Sequence, residues 1–173
     1  SHVKLATDQL EVLLKDNSCE GLEIQVNKLA DIFTLEDCQH AILELEGTLL
    51  SKIDDILDMK KVPVLYTTRE EMKFSSYSKR LNFGLELAEF MAILVRKITY
   101  KLGYIISKGG ITTQILLQKG LNFKQVDLKG QILPGLSIVT SNSDQYQLPV
   151  VTFPGNLGDE KTLLESFRLM DSN

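Results

Sequence analysis

A glycine-containing segment between a predicted strand and a predicted helix is the part of the sequence best suited to hold a ligand. It reads Ser107-Lys108-Gly109-Gly110-Ile111-Thr112-Thr113. Paired glycines let a backbone approach a ligand closely and adopt dihedral angles that other residues avoid. The next helix would present free N–H groups and a positive dipole end, which together suit a phosphate group. Taken alone, the spacing is more typical of a tight turn, since it matches neither the Walker loop nor the dinucleotide fingerprint.

The polar side chains of this segment have alternative roles. Thr112 and Thr113 can cap the following helix or hydrogen-bond phosphate oxygens. Lys108 can offset phosphate charge or lie solvated at the end of a strand. The sequence leaves both questions open.

A second segment of similar character follows another predicted strand. It reads Phe153-Pro154-Gly155-Asn156-Leu157-Gly158-Asp159. Gly155 and Gly158 free the backbone, while Asn156 and Asp159 can bind a ligand or stabilise the turn, with Asp159 as a helix cap. Both segments lie at the carboxyl ends of predicted strands, where open α/β sheets bind ligands. We therefore expect the two loops to share one site.

No other group of residues predicts a catalytic or metal centre. His2 and His40 are the only histidines, and no HExxH, GxSxG, CxxC or EF-hand pattern occurs. The adjacent acidic pairs Asp54-Asp55 and Glu70-Glu71 are typical of a solvated surface. We predict no catalytic residue and no metal ligand in this chain, so the base of any enzyme would lie outside it.

Composition narrows the class of protein. The chain has 173 residues, 43% of them apolar, and a net charge of -4, which gives no excess positive field for nucleic acid. Its longest apolar run, residues 90–95, is far shorter than a membrane span. Cys19 and Cys38 lack metal or disulfide spacing, so we expect buried thiols and a cytoplasmic protein. With no initiator Met, the chain is expected to begin partway through a longer protein.

The loops must be positioned by alternating strands and helices. Helical spacing predicts one helix behind Thr7 and Asp8 that ends near Asn17, and others over residues 35–59, 81–100, 112–119 and 160–170. Strands are predicted over residues 22–26, 62–66 and 104–106, with several short ones between 126 and 153, and a mobile surface loop over 67–80. The fold class is α/β, a mainly parallel sheet flanked by helices with short additional strands in the C-terminal third. Residues 1–173 are expected to form one domain.

Around these loops the chain resembles the C-terminal, nucleotide-binding domain of the four-carbon acid sugar kinases. The stretches that carry the resemblance are Ser1-His2-Val3-Lys4 with Thr7-x-Gln9-Leu10, Tyr66-Thr67-Thr68-Arg69-Glu70-Glu71, Arg80-Leu81-Asn82-Phe83-Gly84, residues 107–113, Gly130-Gln131-Ile132-Leu133-Pro134-Gly135 and residues 150–159. They cover almost the whole chain in the family's order. The family implied consists of two-domain, ATP-dependent kinases that phosphorylate a hydroxyl of erythronate, threonate or their 3-oxo forms. In that family an N-terminal domain holds the sugar acid and an acidic catalytic residue, and we expect this domain to lie outside the present chain.

The resemblance also implies site residues and cofactors. Nucleotide contacts fall on Ser1, on Gly109, Gly110, Ile111 and Thr112 in the first loop, and on Gly155 in the second. ATP and Mg2+ are the implied cofactors. Many members have an acidic residue where this chain has Ile111, so only main-chain groups would act at that position. Since the family has Gly-Ser-His at the start, Ser1-His2 is interpreted as native sequence rather than a cloning remnant.

Two other functions compete with the kinase as readings of the same sequence. A non-catalytic module that binds a nucleotide or sugar phosphate would carry the same loops without a catalytic partner. An oxidoreductase is disfavoured, because the dinucleotide fingerprint is absent.

Overall fold

The computed structural model describes residues 2–68, 75–142 and 147–172 and divides the chain into two compact units. We call Leu14–Leu87 the inserted unit, and Ser1–Leu13 together with Ala88–Asn173 the main unit. The described helices are α1 (His2–Leu13), α2 (Val26–Phe33), α3 (Cys38–Asp58), α4 (Tyr77–Ile98), α5 (Gly110–Ile115) and α6 (Thr162–Asp171). The described strands are β1 (Cys19–Ile24), β2 (Val62–Thr67), β3 (Ile105–Lys108), β4 (Val126–Leu133), β5 (Leu136–Ser141) and β6 (Val150–Phe153).

The inserted unit is built around one parallel strand pair. β1 lies beside β2 with Leu22 opposite Leu65, and α2 and α3 form the crossover that a parallel pair requires. α3 packs on both strands, and Leu29 of α2 is fully buried. Pro63 is accommodated because each strand of a two-stranded sheet has an open edge. An ion pair of 2.6 Å between Lys61 Nζ and Glu20 Oε2 links the ends of the two strands.

The main unit contains a four-stranded sheet in the order β3-β6-β5-β4. β3 and β6 are parallel, whereas β5 is antiparallel to both β6 and β4. Val150, Val151 and Phe153 of β6 are at most 1% exposed, because this strand has a neighbour on each side. α5 packs on β3 and β6 and continues as one π-helical turn, Leu116–Gly120, while α1 packs against α6.

The α/β class predicted from the sequence is confirmed. The strands lie in two sheets, and the short strands of the C-terminal third supply the antiparallel pairs, since the turn at Pro134 and Gly135 folds β4 back onto β5. α1 begins at His2, so Thr7 and Asp8 lie inside that helix and do not cap it. None of the helices in the described ranges is long and apolar enough to span a bilayer.

The structure contains one helix that the sequence patterns do not predict, and it changes two smaller expectations. The unpredicted helix is α2: Val26 continues the alternation of Leu22 and Ile24, which predicts a strand residue, whereas it is the first residue of the helix. Cys19 is buried as expected, but Cys38 is only half-buried. The predicted surface loop falls partly on residues 69–74, which lie outside the described residues, and α4 already begins at Tyr77.

Candidate functional site

The pairing of β3 with β6 places the two glycine loops side by side. Ser107 lies opposite Thr152 and Lys108 opposite Phe153 in a parallel register, so both loops leave the same edge of the sheet. The N–H of Gly109 donates to the carbonyl oxygen of Phe153 at 2.8 Å and continues the ladder into the first loop. The expectation that both loops lie at carboxyl strand ends of one sheet is confirmed. We call residues 107–113 the first loop and 153–159 the second loop.

The first loop presents free main-chain donors to the sheet edge. Gly109 has φ 102°, a region that favours glycine, and directly precedes α5. The first helical hydrogen bond joins the N–H of Thr113 to the carbonyl oxygen of Gly109 at 3.0 Å, and no side chain caps this end. The N–H groups of Gly110, Ile111 and Thr112 therefore lack intrahelical partners. A Cβ atom built on Gly110 meets no heavy atom within 4 Å, so the side-chain position of this residue is open.

Of the two threonines in the loop, Thr113 has a structural role. Its hydroxyl oxygen lies 2.9 Å from the hydroxyl and 3.1 Å from the carbonyl oxygen of Ser107, and both residues are buried. This contact fastens the first turn of α5 to the end of β3. Thr113 is therefore not available to a phosphate, whereas Thr112 is half-buried at the open start of the helix.

Lys108 connects the two loops. Its Nζ donates to the carbonyl oxygen of Gly155 at 3.1 Å and lies 3.4 Å from that of Pro154. The same ammonium group lies 4.1 Å from the centre of the Phe153 ring, a cation–π distance. The proposed alternative of a merely solvated lysine is therefore wrong. A positive charge is fixed between the loops, where it would also attract an anion.

Asp159 caps the turn that leads into α6. Its Oδ1 accepts hydrogen bonds from the N–H groups of Lys161 at 2.9 Å and Thr162 at 3.1 Å, and from the Thr162 hydroxyl at 3.0 Å. These bonds, that from the Lys161 main chain first, hold the pKa of the Asp159 carboxyl below its usual value. The structure thus shows Asp159 stabilising the turn before α6, which is one of the roles that the sequence leaves open.

Gln9 is a site residue to which sequence reasoning assigned no role. It is fully buried in α1, and its Nε2 donates to the carbonyl oxygens of Leu157 at 3.0 Å and Asp159 at 2.6 Å. The available signal was an uncharged polar residue beside the core residues Leu10 and Leu13, together with its place in the family resemblance.

Three further residues are predicted to contact the nucleotide, and the structure describes Gly155 and Ile111 but not Ser1. Gly155 is half-buried, and a Cβ atom built on it meets no heavy atom within 4 Å. The Ile111 side chain is 52% exposed, next to Gly110. Ser1 lies outside the described residues. Within residues 2–68, 75–142 and 147–172, no group of three His, Cys, Asp or Glu side chains is arranged to hold a metal ion.

The fold and the loops define an α/β ligand-binding domain that offers main-chain donors at the carboxyl edge of its sheet. Residues 1–163 match the family of nucleotide-binding C-terminal domains, and the chain belongs to that family. The match confirms the resemblance to the C-terminal, nucleotide-binding domain of the four-carbon acid sugar kinases. No curated protein matches the chain in sequence.

Solved structures share the fold at low sequence identity. A domain of unknown function from Bordetella bronchiseptica, a domain-swapped dimer with bound citrate, has 16% identity and a TM-score of 0.67 over 98% of this chain and 39% of its own. A Haemophilus influenzae protein of the same domain family has 18% identity and a TM-score of 0.67 over 97% of this chain and 37% of its own. A Salmonella typhimurium LT2 protein, provisionally described as a tRNA synthase, has 15% identity and a TM-score of 0.64 over 97% and 39%. This chain thus spans less than two fifths of the length of each of these three structures.

Proposed function

We propose that this chain is the ATP-binding domain of a kinase that transfers the γ-phosphate of ATP to a hydroxyl of a four-carbon sugar acid of the 3-oxo-tetronate, erythronate or threonate type. The observation that carries the proposal is the meeting of the two glycine loops at one sheet edge, in a chain of the nucleotide-binding C-terminal domain family. Main-chain N–H groups from Gly109 to Thr112 would bind the phosphate chain. Gly155 would let the nucleotide approach the second loop closely, and Ser1 would add a contact from the start of the chain.

The proposed division of labour follows from the chemistry of phosphoryl transfer. This reaction depends on positioning and charge neutralisation more than on covalent chemistry by the protein. The loops can supply both, through the free N–H groups of the first loop and the ammonium group of Lys108. The catalytic acidic residue and the sugar-acid site are proposed to belong to an N-terminal domain. The proposal is supported by the structural neighbours, whose chains are longer than this one. Mg2+ is proposed to bind with the phosphates of ATP, and the cytoplasm is the proposed location.

Ile111 places an uncharged side chain in the first loop of the proposed site. Its N–H belongs to the uncapped start of α5, while its side chain is 52% exposed and carries no charge. In this proposal Ile111 contacts the nucleotide through the main chain alone. A side-chain contribution of the kind an acidic residue would make is not part of the proposed site.

A coupled assay on the protein expressed from its whole reading frame tests the kinase function. We expect ATP-dependent phosphorylation of at least one four-carbon sugar acid, whereas a chain limited to residues 1–173 should bind ATP without turnover. Turnover by residues 1–173 alone would contradict the placement of the catalytic acid elsewhere. Absence of both nucleotide binding and turnover in the full-length protein would refute the kinase.

The alternative is a non-catalytic module that binds a nucleotide or sugar phosphate. The coding sequence upstream of Ser1 distinguishes the two proposals, because a kinase requires roughly another domain there, on the order of 100 residues or more, with an Asp-Asp motif. A Met codon a few residues before Ser1 would favour the module or a split enzyme. The tRNA synthase description of one neighbour is not extended to this chain, since 15% identity supports only the fold.

A further inference from the structure

We propose that Gln9 and Gly135 are positioning residues of the nucleotide site, which hold the second loop in its binding conformation from two sides. The inference rests on the proposed nucleotide binding and adds residues that contact no nucleotide themselves. Both residues belong to the main unit, as does the second loop.

Gln9 holds the loop from α1 through both hydrogens of one amide group. Nε2 donates to the carbonyl oxygens of Leu157 and Asp159, at 3.0 and 2.6 Å, and so bridges the residue between them. That residue, Gly158, has φ 77°, a conformation that L side chains rarely adopt. A Cβ atom there would lie 2.3 Å from the Thr162 hydroxyl oxygen. The bridge therefore fixes the backbone at its most restricted point.

The amide oxygen of Gln9 indicates that the two hydrogen bonds to the loop explain why a glutamine occupies this position. Gln9 is 0% exposed, and its Oε1 has no hydrogen-bond partner within the described residues. A buried oxygen without a partner is unfavourable, and Met or Leu would fill similar volume without it. Packing alone thus favours an apolar residue at this position. The two bonds to the loop are what glutamine adds.

Gly135 supports the loop from the turn between β4 and β5. It has φ 82°, and a Cβ atom built on it would lie 2.9 Å from Leu157 Cδ2. A side chain at this position would therefore require the Leu157 side chain to move, and φ 82° is itself a conformation that L residues rarely adopt. Since Gln9 binds the carbonyl oxygen of Leu157 and the turn contacts its side chain, this residue is held at both ends.

A loop held in place before the nucleotide arrives loses less conformational entropy on binding. Lys108 already bonds the Gly155 carbonyl oxygen, so the start and the end of the loop are both anchored. Removing the hydrogen bonds from Gln9 to the end of the second loop should therefore weaken nucleotide binding by more than a decrease in global stability would explain.

The test uses the full-length protein and Gln9→Met, which removes the amide at similar volume. Calorimetry with a non-hydrolysable ATP analogue and Mg2+ should show binding weaker by about tenfold, the effect of losing hydrogen bonds to the loop. Hydrogen exchange without nucleotide should be faster in residues 153–159. The control is Leu94→Ala, a fully buried residue of α4, which should lower the Tm while leaving the affinity within about twofold.

Gly135→Ala provides an independent variant should Gln9→Met fail to fold. Its matched control is Gly130→Ala in the same hairpin, where φ is also positive but a Cβ atom meets nothing within 4 Å. We expect weaker nucleotide binding for Gly135→Ala than for Gly130→Ala. Equal affinity in these two variants would count against the contact with Leu157.

Two results separate this inference from the proposed function. Wild-type binding with unchanged affinity in Gln9→Met, or an equal loss in Leu94→Ala, would overturn the inference and leave the nucleotide site standing. No nucleotide binding by the wild-type protein would overturn both.

Discussion

At the scale of single residues, hydrogen-bond partners decide between roles that the sequence leaves open. Thr113 and Asp159 carry oxygens suited to a ligand, yet both bond within the fold, to Ser107 and to the first turn of α6. Lys108 lies between the loops and bonds the Gly155 carbonyl oxygen. None of this could be predicted from residue type, since each role depends on which other polar groups lie within about 3 Å.

Asp159→Ala is expected to lower the Tm at pH 7. The hydrogen bonds in the folded state lower the pKa of the Asp159 carboxyl. The ionised carboxylate therefore stabilises the fold fully at pH values above 3.8, the pKa of the unfolded state. The effect is lost as the pH falls through the lower, folded-state pKa. The Tm difference between wild type and Asp159→Ala, measured by calorimetry from pH 7 downward, should therefore shrink in acid.

Glu160→Gln serves as the control, because it neutralises an adjacent exposed carboxylate and should change the Tm little. A Tm difference for Asp159→Ala that does not shrink at all as the pH falls well below 3.8 would show that the charged carboxylate is not its cause.

At the scale of elements, the site consists of two strand–loop–helix segments, β3 with α5 and β6 with α6. The strand ends and the glycines were visible in the sequence, because a short apolar run followed by glycine and a helical pattern is a strong local signal. The missed α2 shows the limit of this signal. Where an alternating strand runs directly into an amphipathic helix, as at Val26, the period changes without a turn residue to mark it.

The contact between β3 and α5 predicts the outcome of Thr113→Val. The substitution keeps the shape but leaves the buried Ser107 hydroxyl without its partner, at a cost of about 1–3 kcal/mol. Thermal unfolding should show a Tm lower by about 2–4 °C for each kcal/mol. Thr112→Val is the control, since that residue is only half-buried, in the uncapped first turn of α5. Equal Tm values for the two variants would mean that the Ser107 contact contributes nothing to stability.

At the scale of the whole molecule, segments far apart in the sequence meet at one loop. Gln9 and Leu157 are separated by 148 positions and still share a hydrogen bond. The resemblance brought the stretches containing Gln9 and Gly135 to attention, but neither composition nor periodicity reveals what such distant residues contact. The α/β class was predictable because it depends on local patterns summed along the chain, whereas the two-sided support of the second loop depends on tertiary contacts alone.

Calorimetric titration of Gly110→Asp tests the central claim most directly, namely that the loops form one nucleotide-binding site. A Cβ atom built on Gly110 meets nothing within 4 Å, so the variant should fold normally while its carboxylate repels phosphate from the free N–H groups of α5. Gly84→Asp is the matched control, because it makes the same change in open space on α4. In the full-length protein, we expect a non-hydrolysable ATP analogue with Mg2+ to bind the wild type and Gly84→Asp, and binding to be lost in Gly110→Asp. Equal nucleotide affinity in Gly110→Asp and the wild type would contradict the claim.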